Sequence, residues 1–375
     1  MNKPTSPRGG PLHGVRVVEF AGLGPAPFAC MLLADMGADV VRIDRPDAPP
    51  IDARDIVNRG RRTVALDLKS PEDVARALEL ARHAELLVEG FRPGVMERLG
   101  LGPTTVHACN PGLVYGRMTG WGQYGPLAQA AGHDINYIAL AGALSLIGPS
   151  NGAPVPPLNL VGDYGGGSLY LVMGLLAGLL HARTTGQGQV VDAAICDGVL
   201  SLLSNNMTHR MQGRFRDQRG SNMLDGGAPY YTTYETADGR YVSIGPIEPR
   251  FFQALCRELE LPESLASLQN DPSHWPALHA AIGNALRRQP LAHWCARLEG
   301  TDVCFAPVLT PPEAARHPHI VARRGFIQVD GVEHTAPAPR FSVTPGTISQ
   351  GPTAARWPAD EVLDGWQLSR AQPCQ

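Results

Sequence analysis

Residues 15–20 read Val-Arg-Val-Val-Glu-Phe, and residues 38–43 read Ala-Asp-Val-Val-Arg-Ile. Both runs are short and rich in β-branched residues, which is typical of buried strands. Between them lie a loop rich in glycine and proline and a helix predicted over residues 28–36, which Gly37 ends. Strand, helix and strand in this order form a βαβ unit. The sequence therefore predicts an α/β protein with an open, mostly parallel sheet.

The first turn of this unit imitates the fingerprint of a dinucleotide-binding protein. Gly22 and Gly24 follow the first strand, and Asp44 lies twenty residues beyond Gly24 (44 − 24), where a ribose-binding acid belongs. Pro27 occupies the place of the third glycine, so the match is incomplete. Two interpretations stay open at this point: NAD binding, and glycines that serve only close packing.

The pattern of strands and helices continues along the first half of the chain. Ser70 and Pro71 are typical of a helix start, and they open a helix predicted to end at His83. Further strands are predicted over residues 63–68, 86–89, 113–118 and 189–194.

Several cations lie next to the predicted strands. Arg45 and Arg92 follow the second and fourth strands, and Arg61, Arg62 and Lys69 flank the third. Open α/β sheets bind ligands at the carboxyl ends of their strands. A set of cations there suits a polyanionic ligand such as a phosphorylated nucleotide. A solvated rim is the alternative, and it is the better explanation for any single arginine.

A histidine and an aspartate are the candidate catalytic pair. His133 and Asp163 are thirty positions apart (163 − 133), and glycines and prolines between them let the chain turn back. A histidine and a carboxylate that face one cavity can remove and return a proton. Three glycines follow Asp163 and allow a close backbone approach. The structural alternatives are a helix cap for Asp163 and a core histidine for His133.

The second half of the chain has a different composition. Asp238-Gly239 is a strong turn signal inside a hairpin predicted over residues 230–247, and three helices follow. This region predicts a smaller α+β domain. The predicted boundaries are a large domain over 1–194, completed by 320–375, a linker over 195–221, the small domain over 222–300, and a return linker over 301–319.

Composition limits the classes of partner. The 375 residues include 32 Lys+Arg and 35 Asp+Glu, which gives a net charge of −3 and no electrostatic basis for binding nucleic acid or an anionic membrane. The apolar helix core over residues 169–180 is shorter than the roughly 20 residues that span a bilayer. Seven scattered cysteines favour free thiols in a reducing compartment over disulfides or a zinc site, so we expect a cytoplasmic protein.

Several long segments of the sequence match one family. The chain resembles the family III coenzyme A transferases (the CaiB/BaiF type), and within them the α-methylacyl-CoA racemases. The matching segments are Asp39 to Pro46, Glu89 to Val95, Thr119 to Gln123, Gly132 to Tyr137, Pro157 to Leu160 with Gly162-Asp163, Gly188 to Asp192, and Asp225 to Tyr230.

The resemblance implies a Rossmann-like large domain, a smaller α+β domain and two linkers. It also implies a homodimer of two interlocked subunits, with each active site built from the large domain of one and the small domain of the other. The substrates would be CoA thioesters, with no metal and no separate redox cofactor. This expectation displaces the NAD interpretation of Gly22 and Asp44.

The resemblance also implies roles for individual residues. His133 and Asp163 correspond to the two acid/base residues, and Glu248 corresponds to the carboxylate that binds the aspartate from the partner subunit. Without the resemblance, Glu248 before Pro249 could be only a helix-start residue. Expected contacts with CoA or substrate come from Arg45, Leu66, Asp67, Leu68, Lys69, Gly90, Phe91, Arg92, Arg98, Gly132, Asp134, Ile135, Asn136 and Tyr137.

The expected reaction inverts the carbon next to a thioester carbonyl through an enolate. An unperturbed histidine, with a pKa of about 6.5, suits proton transfer near neutral pH, whereas an aspartate at about 3.9 does not. We therefore expect burial and the like charge of Glu248 to raise the pKa of Asp163. The backbone N–H of Asp134 is the expected donor to the enolate oxygen.

Two other functions stay open. In a CoA-transferase, an aspartate near Asp163 would act as a nucleophile and form an acyl anhydride. His133 argues against this alternative, because a transferase does not need it as a base. The third possibility, a CoA-binding protein without catalysis, does not explain why both acid/base residues are present.

Overall fold

Six parallel strands form the central sheet of the structure, a computed structural model that describes residues 9–371. The strands are β1 (Arg16–Phe20), β2 (Asp39–Asp44), β3 (Arg61–Ala65), β4 (Leu86–Glu89), β5 (Val114–Thr119) and β6 (Val190–Ala194). Their order is β3-β2-β1-β4-β5-β6, with every neighbouring pair parallel. The order reverses between β1 and β4, which creates the switch point where such sheets bind ligands.

The sheet is buried because apolar side chains cover its strands. Val17, Val18 and Phe20 of β1 are all buried. Parallel sheets need helices on both faces, and the apolar stripes of those helices cover them. The helices of this part of the chain are α1 (Pro25–Asp35), α2 (Pro71–His83), α3 (Val95–Arg98), α4 (Pro103–Cys109), α5 (Asp134–Leu140), α6 (Leu169–Thr185) and α7 (Ile195–Leu202), with a 3₁₀ turn at Ile56–Asn58.

A second compact unit has its own antiparallel sheet and hydrophobic core. Tyr230, Val242 and Phe252 are buried in that core together with Leu278 and Trp294. Gly239 adopts φ +69° in the predicted hairpin turn. The elements here are α8 (Ser204–Met211), β7 (Thr232–Glu235), β8 (Tyr241–Ile244), α9 (Pro249–Glu258), α10 (Glu263–Ala266), α11 (Trp275–Leu286), α12 (Leu291–Leu298), β9 (Phe305–Pro307) and α13 (Pro311–Ala314), with 3₁₀ turns at Leu144–Leu146 and Pro272–His274.

The C-terminal segment returns to the first unit. It follows α14 (Pro318–Ala322), which lies almost entirely in the second unit, and it contains the hairpin β10 (Phe326–Val329) and β11 (Val332–Thr335), and α15 (Ala359–Ala371). Val362 and Trp366 of α15 are buried in the same core as α2 and the sheet. The Trp357 N–H donates to the Thr63 carbonyl at 2.8 Å, so this segment is bonded to the edge of β3.

The two units divide the chain differently from the predicted boundaries. The first unit comprises the described residues up to 141, residues 158–202 and those from 322 onward, and the second comprises 142–157 and 203–321. The predicted first linker, 195–221, contains α7 and α8. No residue of α8 is buried.

The apolar helix after Asp163 is longer than predicted. A π-helix over Leu160–Ser168 runs directly into α6. The continuous helix Leu160–Thr185 has 26 residues and is long and apolar enough to cross a membrane by length and composition alone. The expectation that it is too short was therefore wrong. The core helix of a soluble protein passes the same test.

Candidate active site

A cavity of about 480 Å³ opens at the carboxyl ends of β4 and β5. Glu89 ends β4 and Thr119 ends β5, so the loops that follow these strands form its wall. The start of α5 forms the opposite side. The lining residues are Gly90, Phe91, Arg92, Pro93, Thr119, Gly120, Trp121, Ala128, Ala130, Ala131, Gly132, His133, Asn136 and Tyr137.

His133 lines this cavity from the position just before α5. Its extended backbone, φ −133° and ψ 174°, makes it the N-cap residue of that helix. The Asn136 side-chain oxygen accepts the His133 backbone N–H at 3.0 Å, which fixes the turn. The imidazole is exposed and faces the cavity, so it can exchange a proton with a bound substrate.

Two aromatic rings stiffen the same wall. The rings of Trp121 and Tyr137 meet edge to face, with centroids 4.7 Å apart. The Tyr137 hydroxyl donates to the Gly132 carbonyl at 2.5 Å, which ties α5 to the residue before His133. Burial and then the charge of Asp163 raise the pKa of Tyr137, so this hydroxyl stays protonated.

Asp163 lies within the π-helix Leu160–Ser168, a rare conformation that often marks functional sites. Burial raises the pKa of its carboxyl group to about 6, the Asp134 charge adds to the rise, and His133 lowers it. His133 and Asp163 are therefore close enough to interact electrically. Their combined properties permit acid/base chemistry near neutral pH.

The Asp134 side chain makes a contact that the sequence did not suggest. Its carboxylate is buried and accepts the Asp163 backbone N–H at 2.6 Å. Its like charge also acts on Asp163, the effect that the sequence analysis had expected from Glu248. The backbone N–H of Asp134 lies in the first turn of α5, where N–H groups have no helical acceptor.

A buried ion network supports the loop that carries Arg92. The Glu89 carboxylate accepts the Phe91 N–H at 2.8 Å and pairs with Arg117 at 2.9 Å. Arg117 also pairs with Glu97 at 2.8 Å. Burial raises the pKa of Glu89 to about 7 despite these partners. The network connects β4, β5 and α3 beneath the cavity.

Some predicted binding residues lie away from this cavity. The Arg45 side chain follows β2 and is 74% exposed, with Asp47 3.8 Å away. Leu66 is buried and Leu68 packs against the same core, so only their backbone could meet a ligand. Asp67, Lys69, Arg98 and Ile135 are likewise absent from the lining.

The cation set predicted at the sheet edge was partly wrong. Arg61 and Arg62 begin β3 and therefore lie at the opposite ends of the strands. Arg61 is fully buried, pairs with Glu19 at 2.6 Å, and donates to the carbonyls of Pro27 and Val57. The sequence showed the charge of Arg61 but not the buried partner that removes it from the surface.

The residues of the dinucleotide-like turn also have protein partners. Asp44 pairs with Arg42 at 2.9 Å and accepts the Arg45 N–H at 2.8 Å. Gly24 begins α1 and lies beside Asp163, whose carboxylate oxygen would be 3.1 Å from a β-carbon placed there. Packing against Asp163 therefore accounts for this glycine.

Glu248 belongs to the second unit. It is exposed, and it precedes Pro249 as the N-cap residue of α9 without a capping hydrogen bond from its side chain. Its charge contributes to raising the pKa of the Cys304 thiol, after burial. Its carboxylate is therefore available to an external group.

A second cavity, of about 790 Å³, lies within the second unit. Its acidic and imidazole groups are already paired with protein. Asp225 accepts four backbone N–H groups and the Asn222 amide, while His279 contacts the Tyr234 hydroxyl and the Gly227 carbonyl, each at 3.0 Å. These groups organise the loop and leave no acid/base pair for catalysis.

The sequence analysis missed several lining residues. Thr119, Gly120 and Trp121 belong to a segment that matches the family but received no role. The buried indole N–H of Trp121 has no acceptor among the described residues, so it can donate to a ligand. Ser168 was also missed, although its buried hydroxyl contacts the Asp163 carbonyl at 3.0 Å. For Thr119, Gly120 and Trp121 a signal was available, because the segment that matches the family directly follows a predicted strand.

The six cysteines that the structure describes are unpaired, and no group of three potential metal ligands occurs within residues 9–371. The fold and the site together define an α/β protein with an acid/base pair at the carboxyl edge of its parallel sheet. The chain belongs to CoA-transferase family III, whose model matches residues 12–359.

Curated relatives include both racemases and transferases. The chain is 43% identical to an alpha-methylacyl-CoA racemase of Mus musculus over 93% of this chain and 90% of that protein. It is 40% identical to the racemase of the same name from Homo sapiens, over 96% and 94%. The beta subunit of a succinyl-CoA–L-malate CoA-transferase from Chloroflexus aurantiacus is 32% identical, over 94% and 93%.

Solved structures share the fold. A CAIB/BAIF family protein from Brucella suis superposes with a TM-score of 0.79 at 24% identity, covering 97% of this chain and 99% of that one. A hypothetical protein from Mycobacterium tuberculosis gives 0.80 at 26% identity, covering 96% and 100%. The α/β architecture with its six-stranded parallel sheet is therefore that of the CaiB/BaiF proteins.

Proposed function

We propose that this protein inverts the α-carbon of 2-methylacyl-CoA thioesters. The observation that carries the proposal is the interaction of His133 with Asp163, whose pKa is raised to about 6. The full-length similarity to two alpha-methylacyl-CoA racemases, at 43% and 40% identity, supports the same reaction. The proposal needs no cofactor apart from the CoA that the substrate itself carries.

The two side chains would act as a base and an acid on the same α-carbon. One of them, unprotonated, takes the α-proton, and the C–H electron pair passes into an enolate. The other, protonated, returns a proton to the opposite face of the carbon. This exchange requires that both groups titrate near the working pH, and a pKa raised to about 6 brings Asp163 toward that condition.

The enolate oxygen needs a hydrogen-bond donor. The Asp134 backbone N–H in the first turn of α5 suits this role, because the helix N-terminus favours negative charge. Arg92 in the cavity wall would hold part of the CoA, as would Arg45 and Arg98. The resulting remote binding energy would anchor the thioester between the two acid/base groups.

A homodimer belongs to the same proposal. Exposed apolar residues repeat along one face of α6, which we call the α6 apolar face: Leu169, Met173 and Leu180. An exposed apolar helix face of this kind suits burial against a second copy of the chain. The exposed Glu248 would then complete the partner's site by binding Asp163.

CoA transfer is the alternative function. The 32% identity to a transferase subunit supports it, and there Asp163 would attack the thioester carbonyl and form an anhydride. His133 favours racemisation over transfer, because it adds to the cavity lining an acid/base group that the anhydride mechanism does not require.

Solvent deuterium incorporation separates the two reactions. A single enantiomer of 2-methylacyl-CoA is incubated with the enzyme in deuterium oxide, without any acceptor acid. A racemase places deuterium at the α-carbon and forms the other enantiomer, because its intermediate is an enolate. Mass spectrometry and chiral chromatography measure both products.

Single substitutions supply the controls. His133→Ala should abolish proton removal from one face of the α-carbon, and Asp163→Asn should abolish it from the other. Each variant keeps one base, which can still exchange the α-proton of the enantiomer that it faces. Inversion should therefore fall more than this exchange does. An α-position that stays fully protiated while CoA moves to an added carboxylate would replace the racemase proposal with the transferase alternative.

A further inference from the structure

The Asp134 carboxylate lies directly beneath Asp163 and is only 8% exposed. One of its oxygens, Oδ2, accepts the Asp163 backbone N–H at 2.6 Å. The other oxygen, Oδ1, is buried without a hydrogen-bond partner among the described residues. A buried carboxylate with a free oxygen is costly, so its retention at this position calls for a functional reason.

Gly162 makes room for this contact. A β-carbon at position 162 would lie 2.3 Å from Asp134 Oδ2 and 2.7 Å from its Cγ, and 3.0 Å from Ile138 Cγ2. No side chain fits at such distances. The π-helix therefore carries glycine at the one point where the carboxylate reaches the backbone.

We propose that the Asp134 side chain is a positioning residue, which holds the Asp163 backbone in place and acts through its negative charge on the Asp163 carboxyl group. The inference rests on the proposed racemase function of His133 and Asp163. It concerns the Asp134 carboxylate and is independent of the role of its backbone N–H.

Ionisable groups lie on several elements that pack against the π-helix, including Cys30 and Asp35 on α1, Arg117 on β5 and Asp192 on β6. His133, Asp134 and Tyr137 approach from the start of α5 and its first turn, and Cys196 and Asp197 lie on α7, which packs against the π-helix. Among these, Asp134 raises the pKa of Asp163 after burial, and His133 lowers it. Asp134 is therefore the neighbouring charge that favours a protonated Asp163.

Proton location explains why this charge matters. When His133 acts as the base, Asp163 must already hold the proton that it will donate. Without the Asp134 charge, the pKa of Asp163 falls, and its protonated fraction at neutral pH falls about tenfold for each unit. Turnover in that direction would fall with it.

Asp134→Asn tests the charge while keeping an oxygen that can accept the Asp163 N–H. The pH dependence of turnover is measured in both directions from each pure enantiomer, together with KM for the acyl-CoA. In the plot of turnover against pH, the limb that is set by the titration of Asp163 should move to lower pH by about one unit, while KM stays unchanged. Asp134→Ala removes the acceptor as well and should lower kcat further.

Gly162→Ala tests the same contact without changing any ionisable group. The added methyl group displaces the Asp134 carboxylate, so the Asp163 limb should move in the same direction as in Asp134→Asn. Glu85→Gln is the matched control for charge, because Glu85 accepts the Arg16 N–H at 2.8 Å at the opposite ends of the strands. Gly365→Ala is the control for an added methyl group, since nothing lies within 4 Å of that position.

The outcomes separate the inference from the proposed function. If the wild-type enzyme exchanges the α-proton and Asp134→Asn shows the wild-type pH profile, the positioning role is wrong and the racemase proposal stands. If the wild-type enzyme does not exchange, the racemase proposal fails first. Thermal unfolding of each variant establishes that it is folded, and loss of activity with an unshifted profile in both variants also overturns the inference.

Discussion

Asp163 shows how position changes the acid/base properties of an ordinary side chain. An exposed aspartate is ionised at neutral pH, but burial raises the pKa of Asp163 to about 6. His133 keeps an exposed imidazole at the cavity wall. The two residues differ in chemistry, and the raised pKa of Asp163 brings its carboxyl group nearer to the range that the proposed two-base reaction requires.

Arg92 lines the same cavity, and its proposed role is to bind CoA. Because Arg92 would contact the CoA moiety away from the reacting carbon, Arg92→Ala should raise KM for acyl-CoA far more than it lowers kcat. Loss of one charge-assisted contact of about 1.5–3 kcal/mol corresponds to a rise of roughly 10-fold to 150-fold. Steady-state kinetics with one enantiomer measures both constants.

Arg62→Ala is the control for this substitution. Arg62 begins β3 and pairs with Asp39 at 2.6 Å, at the ends of the strands opposite the cavity. Its substitution should leave KM unchanged. Equal KM values for the wild-type enzyme and Arg92→Ala would remove Arg92 from the CoA site.

The π-helix Leu160–Ser168 is the element that places Asp163. Ser168 ends it, is fully buried, and contacts the carbonyls of Pro25 at 2.7 Å and Asp163 at 3.0 Å. One hydroxyl therefore connects the π-helix to the first turn of α1. Phe28 of α1 stacks on Tyr164 with ring centroids 4.1 Å apart, which reinforces the same contact.

Ser168→Ala should weaken this connection. Removing this buried hydroxyl donor should lower the free energy of unfolding by about 0.5–1.5 kcal/mol, the net contribution of one hydrogen bond. It should also lower kcat more than it changes KM, because Asp163 moves while the CoA contacts remain. Chemical denaturation and steady-state kinetics measure the two effects.

Ser267→Ala provides the comparison, because the Ser267 hydroxyl makes the same kind of contact, to the Ser264 carbonyl at 2.9 Å, at an exposed position in the second unit. It should change neither stability nor kcat by a measurable amount. A Ser168→Ala enzyme with wild-type stability and kcat would show that the hydroxyl does not hold the π-helix.

At the scale of the whole molecule, the proposed site requires more than one chain. Glu248 lies exposed at the start of α9, and the α6 apolar face is exposed on the first unit. Both features are expected of a protein whose active site is completed by a second copy of the chain. A dimer would bury the apolar face and supply Glu248 to a neighbouring site.

Met173→Glu should therefore produce monomers. Met173 is 60% exposed in the α6 apolar face, and a carboxylate there would oppose burial against a second copy. Analytical ultracentrifugation should give a dimer for the wild-type protein and a monomer without α-proton exchange for the variant. Val343→Glu, at an apolar position that is 79% exposed elsewhere in the first unit, should stay dimeric. A wild-type monomer with full activity would contradict the dimer proposal.

The sequence by itself determined most elements of the parallel sheet and singled out the proposed catalytic pair. β-branched runs predicted β1 and β2, and the helix predicted from the Ser70-Pro71 start signal to His83 has the bounds of α2 in the structure. His133 and Asp163 were found from their residue types and from the segments around them that match the family. Such features can be read from sequence because they depend on neighbouring residues and on local chemistry.

Tertiary structure alone decided how distant residues act on one another. It turned Arg61 from a predicted surface cation into a buried partner of Glu19, and it placed the Asp134 carboxylate against the Asp163 backbone. It also gave residues 160–168 a π-helical conformation that no local pattern predicted. The physical reason is that burial, charge interaction and close approach depend on which segments meet in space, and residues far apart in the chain make those contacts.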